Sequence, residues 1–227
     1  MAQGIFITGT DTGIGKTLAS CLLIDALVQE GHKVIGMKPI ASGASSVDGN
    51  LQNEDAMYLQ KYSNVEVSYE SINPFCFEPP IAPHIAAQKA GRHIDLSTIK
   101  QSYNELSVMA DWVIVEGVGG WYVPINQNQT TADIPLALNL PVVLVVGMKL
   151  GCINHALLTV NAIRASGNEL AGWIANDIDK DMAVYDEVFE NLHTRLGCPL
   201  IARIPYLYDD QRDTNQPINI NTKFLKS

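Results

Sequence analysis

Short apolar runs alternate along the chain with stretches whose apolar residues recur every three or four positions. GIFITG (residues 4–9) has the length and the Ile and Phe content of a buried strand. Leu18, Leu22, Leu23, Ala26 and Leu27 follow at helical spacing, and Gly31 stands where a helix-ending glycine belongs. KVIGMK (residues 33–38) predicts the next strand, halted before Pro39. Residues 41–53 are small and polar and predict a loop. WVIVEG (112–117) and PVVLVVG (141–147) lack the alternation of a half-exposed strand, so they predict central strands of a parallel sheet covered on both faces. Ile153, Leu157, Val160 and Ile163 mark a helix. LAGWIAN (170–176) and PLIARIP (199–205) predict two further strands, with a helix between them around 182–196.

Strand, crossover and strand, repeated along one chain, predict a doubly wound, mainly parallel α/β sheet with helices on both faces. The 227 residues fit one domain spanning 1–227. Ligands of such sheets lie at the carboxyl ends of the strands. The conspicuous polar motifs, at 9–17, 38–43, 116–121, 148–154 and 176–177, each follow a predicted strand. No internal repeat, low-complexity segment or linker interrupts the pattern. The tail after Leu207 is polar and is expected to be partly loose.

Composition narrows the function classes. Apolar residues make up 47% of the chain, enough for a sizeable core and too many for a disordered protein. The formal charge of −9 repels phosphate backbones and argues against a nucleic-acid partner, though a local cationic pocket can still take a nucleotide. No apolar run approaches the roughly 18 residues of a membrane span, and the MAQGIFITGT start lacks the basic region of a signal peptide. Cys21, Cys76, Cys152 and Cys198 lie far apart and read as reduced thiols of a cytoplasmic protein.

GTDTGIGKT (9–17) lies between a predicted strand and an amphipathic helix. Its glycines let consecutive N–H groups, here of Thr12, Gly13, Ile14 and Gly15, turn inward onto phosphate oxygens, and the helix end adds its positive dipole. Lys16 then reaches the β- and γ-phosphates of a nucleotide, and the Thr17 hydroxyl ligates Mg²⁺. The loop has one residue more between its glycines than the usual G-x-x-x-x-G-K-[ST] spacing. It predicts a P-loop NTPase-like fold that binds ATP and Mg²⁺.

Two carboxylates are placed to complete a magnesium site. Glu116 ends a buried strand, like the acidic residue that holds Mg²⁺ in other phosphate-loop proteins. Asp55 follows the 41–53 loop and reads either as a third magnesium ligand or as the solvated first-turn acid of a helix. Mg²⁺ takes a few hard oxygen ligands and keeps waters, so Thr17, Asp55 and Glu116 form a chemically sensible set. Lys38, at the end of the second strand, reads either as a surface lysine or as a second ammonium beside the transferring phosphoryl group.

Taken together, GTDTGIGKT, KPIASG (38–43), PHIAA (83–87), VEGVGGW (115–121), VVGMKLGCINHA (145–156) and AGWIAND (171–177) resemble the dethiobiotin synthetase family. The resemblance runs from residue 4 to about residue 207, and VGMKLGCINH is its most diagnostic piece. The extra residue in the phosphate loop is itself a family trait. The segments 41–53 and 178–184 match weakly.

The resemblance implies a cytoplasmic homodimer in biotin synthesis that joins CO₂, or bicarbonate, to 7,8-diaminononanoate with ATP. One amine captures CO₂ as a carbamate, ATP phosphorylates the carbamate, and the second amine closes a ureido ring. It implies that Lys16 and Lys38 are catalytic, and that Ser42 and Thr12 hydrogen-bond substrate. Gly117, Val118 and Gly119 bring backbone to the reacting atoms. Asn176 and Asp177, with Pro205, Tyr206 and Leu207, hold the nucleotide. Leu150, Gly151, Cys152, Ile153 and Asn154 offer free N–H groups to the substrate carboxylate, from the partner subunit, and Tyr185 is a further carboxylate contact. Cys152 has no nucleophilic role in this reading, and His84 and His155 are structural.

Other phosphate-loop classes fit less well. Partner-switching ATPases of the division-site and partition type carry a lysine early in the loop, where this chain has Asp11. Cobyrinate-type synthetases need a glutaminase domain for which 227 residues leave no room. A GTPase would carry an [NT]-K-x-D motif. A pure binding module with ATP as a structural ligand remains the bland alternative, and a turnover assay separates it from a ligase.

Overall fold

A computed structural model describes residues 2–207 and 218–225. The chain runs through β1 (Gln3–Gly9), α1 (Lys16–Gln29), β2 (Val34–Met37), β3 (Ile40–Ser42), β4 (Ser45–Val47), β5 (Asn50–Gln52), α2 (Glu54–Tyr62) and α3 (Tyr69–Ile72). It continues through β6 (Phe75–Phe77), α4 (Pro83–Lys89), α5 (Leu96–Ser107), β7 (Trp112–Glu116), α6 (Asp133–Leu138) and β8 (Val142–Met148). Then come α7 (Cys152–Ala165), β9 (Leu170–Asp177), α8 (Tyr185–Arg195), β10 (Leu200–Ile204) and a 3₁₀ turn at Thr222–Leu225.

Six parallel strands form the central sheet in the order β10-β9-β8-β1-β7-β2. The chain passes from β1 to the edge strand β2, returns inward to β7, then crosses β1 to β8 and winds outward through β9 and β10. The ends of β1, β7 and β8 therefore flank the point where the direction of winding changes. Alternate strand residues feed two cores. Phe6, Val113, Val115, Leu144 and Val146 pack with Ile99 and Leu106 of α5 and Val160 of α7. Ile5, Ile7, Ile114, Val143 and Val145 pack with Leu23, Ile24 and Leu27 of α1 and Leu59 of α2. Helices therefore cover both faces, which is why β7 and β8 carry an unbroken apolar run.

The predicted strands and long helices are present, shifted at most a few residues. The segment 41–53 is not the plain loop that its polarity predicts. Ile40–Ser42 pairs in parallel with Phe75–Phe77, and Ser45–Val47 forms an antiparallel hairpin with Asn50–Gln52. Asp48 and Gly49 at the hairpin tip both have positive φ, 49° and 84°, as a tight two-residue turn requires. The helix expected from residue 182 starts at Tyr185 instead, because Val184 adopts a left-handed φ of 50° ahead of it. Residues 208–217 of the tail that was expected to be loose lie outside the described residues. Beyond them Ile218 and Ile220 pack on the α1-side core, the Asn221 N–H donates to the Ile201 carbonyl at 2.8 Å, and the Thr222 hydroxyl donates to Glu30. No helix among the described residues is long and apolar enough to cross a membrane.

Candidate active site

The phosphate loop leaves β1 at Gly9 and enters α1 at Lys16, so it spans the carboxyl end of the central strand. Gly15 caps the helix in the left-handed region, φ 86°, and a β-carbon there would stand 2.1 Å from Asn176 Nδ2. The close approach has a purpose: Asn176 Nδ2 donates to the Ile14 carbonyl at 2.8 Å, tying the end of β9 to the loop. Gly15→Ala combines backbone strain of about 1–2 kcal/mol with expulsion of that amide. It is expected to weaken ATP binding about tenfold or more, measured by titration calorimetry; affinity within twofold of wild type would contradict this role.

Lys16 is almost buried and curls back so that Nζ donates to the Asp11 carbonyl at 2.8 Å. Burial, and then the like charge of Lys38, pull its ammonium down from the usual lysine value to about 8. Lys38 is 3% exposed. Its ammonium donates to Glu116 Oε1 at 2.5 Å, Asp55 Oδ2 at 3.0 Å and the Gly117 carbonyl at 3.2 Å. Burial opposes the charge on Lys38, but the Glu116 and Asp55 carboxylates outweigh it and hold the pKa above the normal range. Asp55 is drawn below the normal carboxyl range: burial resists ionisation, and Lys38 and the Thr17 hydroxyl overcome it.

Thr17 Oγ1 lies 2.8 Å from Asp55 Oδ1 and 3.0 Å from Glu116 Oε1. The three expected metal ligands thus meet at one point, reached from α1, the start of α2 and the end of β7. Asn53 makes this possible for Asp55, because its side chain accepts the N–H groups of Asp55 and Ala56 and so caps α2. Asp55 is a first-turn acid of α2, and its carboxylate faces the Thr17 hydroxyl and the Lys38 ammonium. Glu116 is wholly buried, and its second oxygen, Oε2, has no hydrogen-bond partner.

Gly117, Val118 and Gly119 follow β7 and run beside the phosphate loop. A β-carbon on Gly119, where φ is 64°, would sit 3.6 Å from the Thr12 hydroxyl oxygen. Thr131, unremarked in the sequence, holds this turn by donating to the carbonyls of Gly120 and Trp121. The Ser42 hydroxyl ends β3, buried and without a partner, close enough in chain to Asn53 for its carbonyl to accept from Asn53 Nδ2 at 3.3 Å. Leu150 and Gly151 precede α7, which opens at Cys152, Ile153 and Asn154. Lys149, just before them, lies 3.7 Å from Asp11 Oδ2 and so ties this turn to the phosphate loop.

Tyr185 donates its hydroxyl to Asp177 Oδ1 within the same chain. It shares with Asp177 and Tyr206 a cavity of about 360 Å³ that Asp179, Lys180 and Met182 complete. Pro205, Tyr206 and Leu207 leave β10 beside it. The residues sequence reasoning passed over are Asn53, Tyr69, Asn73 and Thr131. Only Asn53 carried a signal, as the cap in Asn53-Glu54-Asp55.

Among known proteins, a family model described as an AAA domain matches residues 3–213. The ATP-dependent dethiobiotin synthetase BioD of Nitrosospira multiformis is 49% identical over 221 residues, 97% of this chain and 96% of that protein. The ATP-dependent dethiobiotin synthetase BioD 1 of Escherichia coli O157:H7 is 41% identical over 225 residues, 99% of this chain and 100% of that one. Among solved structures, the MinD cell division protein of Aquifex aeolicus superposes with a TM-score of 0.57 at 18% identity, over 93% of this chain and 85% of that one. A ParA family ATPase from Chlorobium tepidum gives 0.57 at 15% identity, over 99% and 97%. Those two likenesses speak to the fold alone, that of the P-loop nucleoside triphosphatases. Identity that high over nearly the whole length of both chains has one meaning: the chain belongs to the ATP-dependent dethiobiotin synthetase family.

Proposed function

We propose that this protein is a cyclo-ligase that uses ATP to join CO₂ to 7,8-diaminononanoate and close the ureido ring of dethiobiotin. The observation that carries this reading is the pair of lysines at one crevice, Lys38 buried between Glu116 and Asp55, and Lys16 on the loop beside it. A carbamate and the γ-phosphate are both anions and repel. Two ammonium groups at the strand ends lower that repulsion and hold both groups in line.

The residues fit Mg²⁺ as well. Thr17, Asp55 and Glu116 offer only hard oxygens, and Glu116 Oε2 is a buried acceptor without a donor, which a cation would satisfy. Bound there, Mg²⁺ would neutralise charge on the β- and γ-phosphates. The chain does the rest of the work. Backbone N–H groups of residues 12–16 receive the phosphates, and Lys16 leaves the Asp11 carbonyl to follow them. Lys38 neutralises the carbamate oxygen as it attacks phosphorus, giving a carbamic-phosphoric anhydride and ADP. The second amine then attacks the carbonyl carbon and releases phosphate. Thr12 and Ser42 orient the diamine, and Asn176, Asp177 and residues 205–207 receive the base and ribose.

The substrate carboxylate is read as lying at the N–H groups of residues 150, 151, 153 and 154, contributed across a homodimer; the Cys152 N–H, expected to be free, instead donates to the Lys149 carbonyl at 3.0 Å. Leu150, just before α7, is 93% exposed and Leu158, at the middle of α7, is 61% exposed, apolar side chains that a second subunit would cover. Asn154, exposed on the first turn of α7, is expected to act on binding alone. Asn154→Ala should raise KM for the diamine about tenfold with kcat within twofold, since a contact made equally in ground and transition state changes KM only. A flat KM would move the carboxylate site elsewhere. The decisive test of the function is phosphate release from ATP with the diamine and bicarbonate, each omitted in turn. Release that ignores either omission would leave an ATPase or a binding module.

A further inference from the structure

One hydroxyl ties the two halves of the cation–carboxylate cluster together. Tyr69, the first residue of α3, accepts the Asn53 N–H at 2.7 Å and donates to Asn73 Oδ1 at 2.9 Å. Asn53 in turn caps the helix that carries Asp55. Asn73 Nδ2 donates to the Lys38 carbonyl at 2.5 Å, and the Lys38 N–H donates to the Ile72 carbonyl at 3.0 Å. The backbone of Lys38 and the backbone of Asp55 are therefore joined through Asn73, the Tyr69 oxygen and Asn53. Both asparagines are buried, at 3% and 7% exposure, so neither can exchange its partner for water. Burial raises the Tyr69 pKa, so the group remains a neutral phenol that can donate and accept together.

We propose that Tyr69 is a positioning residue whose hydroxyl sets the separation of the Lys38 ammonium from the Asp55 carboxylate, and with it the opening that receives Mg²⁺ and the γ-phosphate. This rests on the reading of Lys38, Asp55 and Glu116 given above. Lys38 is held at its ammonium by the two acids and at its main chain by Asn73, so the side chain has one available geometry. Without the Tyr69 oxygen the Asn53 N–H and Asn73 Oδ1 both lose a partner. The α2 start then separates from β2.

Tyr69→Phe removes that single oxygen. The expected result is a kcat about tenfold lower and an Mg²⁺ requirement for half-maximal turnover about tenfold higher, with KM for the diamine unchanged. A second readout needs no turnover: calorimetric binding of a non-hydrolysable ATP analogue with and without Mg²⁺. The variant is expected to lose most of the affinity that Mg²⁺ adds in wild type. Wild-type protein that binds the analogue but does not consume the diamine would sink the ligase reading and leave this measurement intact. Cys76, whose Sγ is 3.7 Å from the same oxygen, lies outside the chain of bonds, so Cys76→Ala should behave as wild type. A folded Tyr69→Phe protein with normal kcat and normal Mg²⁺ dependence, and only a lower thermal midpoint, would overturn the proposal. Should Tyr69→Phe not fold, Asn73→Asp replaces it. That variant accepts from Tyr69 but, while ionised, cannot donate to the Lys38 carbonyl, so the same losses should appear at pH 8 and recede as the pH is lowered. Wild-type behaviour of Asn73→Asp at pH 8 would equally overturn it.

Discussion

Replacing Lys38 with methionine is expected to lower kcat by about 10²-fold or more and to destabilise the fold by about 3–5 kcal/mol. The two losses share a cause. Glu116 has no exposed surface, and the Lys38 ammonium is its charge partner at 2.5 Å. Methionine fills most of the lysine volume but leaves a buried carboxylate without its hydrogen-bonded counter-charge. For a chain of this length the stability loss corresponds to a thermal midpoint lower by roughly 6–20 °C. Adding Glu116→Gln separates the effects. The double variant removes both charges, so most of the stability should return while turnover stays lost. Activity within tenfold of wild type in Lys38→Met would remove Lys38 from the chemistry. A double variant no more stable than the single one would show that the cost arises from packing and not from the unpaired charge.

That coupling could not have been read along the chain. Lys38 and Glu116 are 78 residues apart, and nothing in KPIASG or VEGVGG says that the two strands bearing them lie side by side. What was legible was each strand separately. Trp112–Glu116 and Val142–Met148 are buried at every position, so their apolar runs carried no ambiguity. The phosphate loop was legible for the same reason, since a glycine-rich turn between strand and helix permits few structures. Strand order was not, because β7 inserts between β1 and β2 without any local mark of it.

The missed elements fail for identifiable reasons. β3 and β6 are three residues each, and α3 is four, too short to show a period. Helix α5 did carry a pattern, Ile99, Tyr103 and Leu106 behind an Asp95 cap, which stands out less than the strand-end motifs around it. Tyr185 shows a different limit. Its position on a helix follows from sequence, but whether its hydroxyl turns toward Asp177 depends on where α8 starts, and Val184 displaces that start. The Tyr69 network is the extreme case. None of its residue types or spacings is unusual, and its meaning appears only when α3, α2 and β2 are brought together.

Lys16→Ala is expected to abolish ligase turnover, by about 10³-fold or more, with little change in the stability of the free protein. The reason is that burying this ammonium is unfavourable until phosphate arrives. Its pKa falls to about 8 in the folded chain from the ordinary lysine value of 10.5, so the folded state holds the proton less tightly than the unfolded state. The resulting penalty is complete below about pH 8 and fades as the pH rises toward 10.5, where both states are neutral. At pH 7 the variant therefore escapes that penalty and loses the contacts of the aliphatic stem and the hydrogen bond to the Asp11 carbonyl, effects of opposite sign. As the pH rises from 7 to 10 the wild type should gain stability relative to Lys16→Ala, seen as a shrinking advantage, or growing deficit, of the variant in thermal midpoint. Binding should follow the same proton. The affinity of wild type for a non-hydrolysable ATP analogue should fall above about pH 8, as the free enzyme loses the charge, while the weak affinity of the variant stays flat. If the two proteins lost affinity in parallel with pH, or kept a constant gap in midpoint, the titrating group would not be Lys16. On the proposed reading, an ammonium whose burial is unfavourable in the free protein would contribute binding energy when it meets the γ-phosphate.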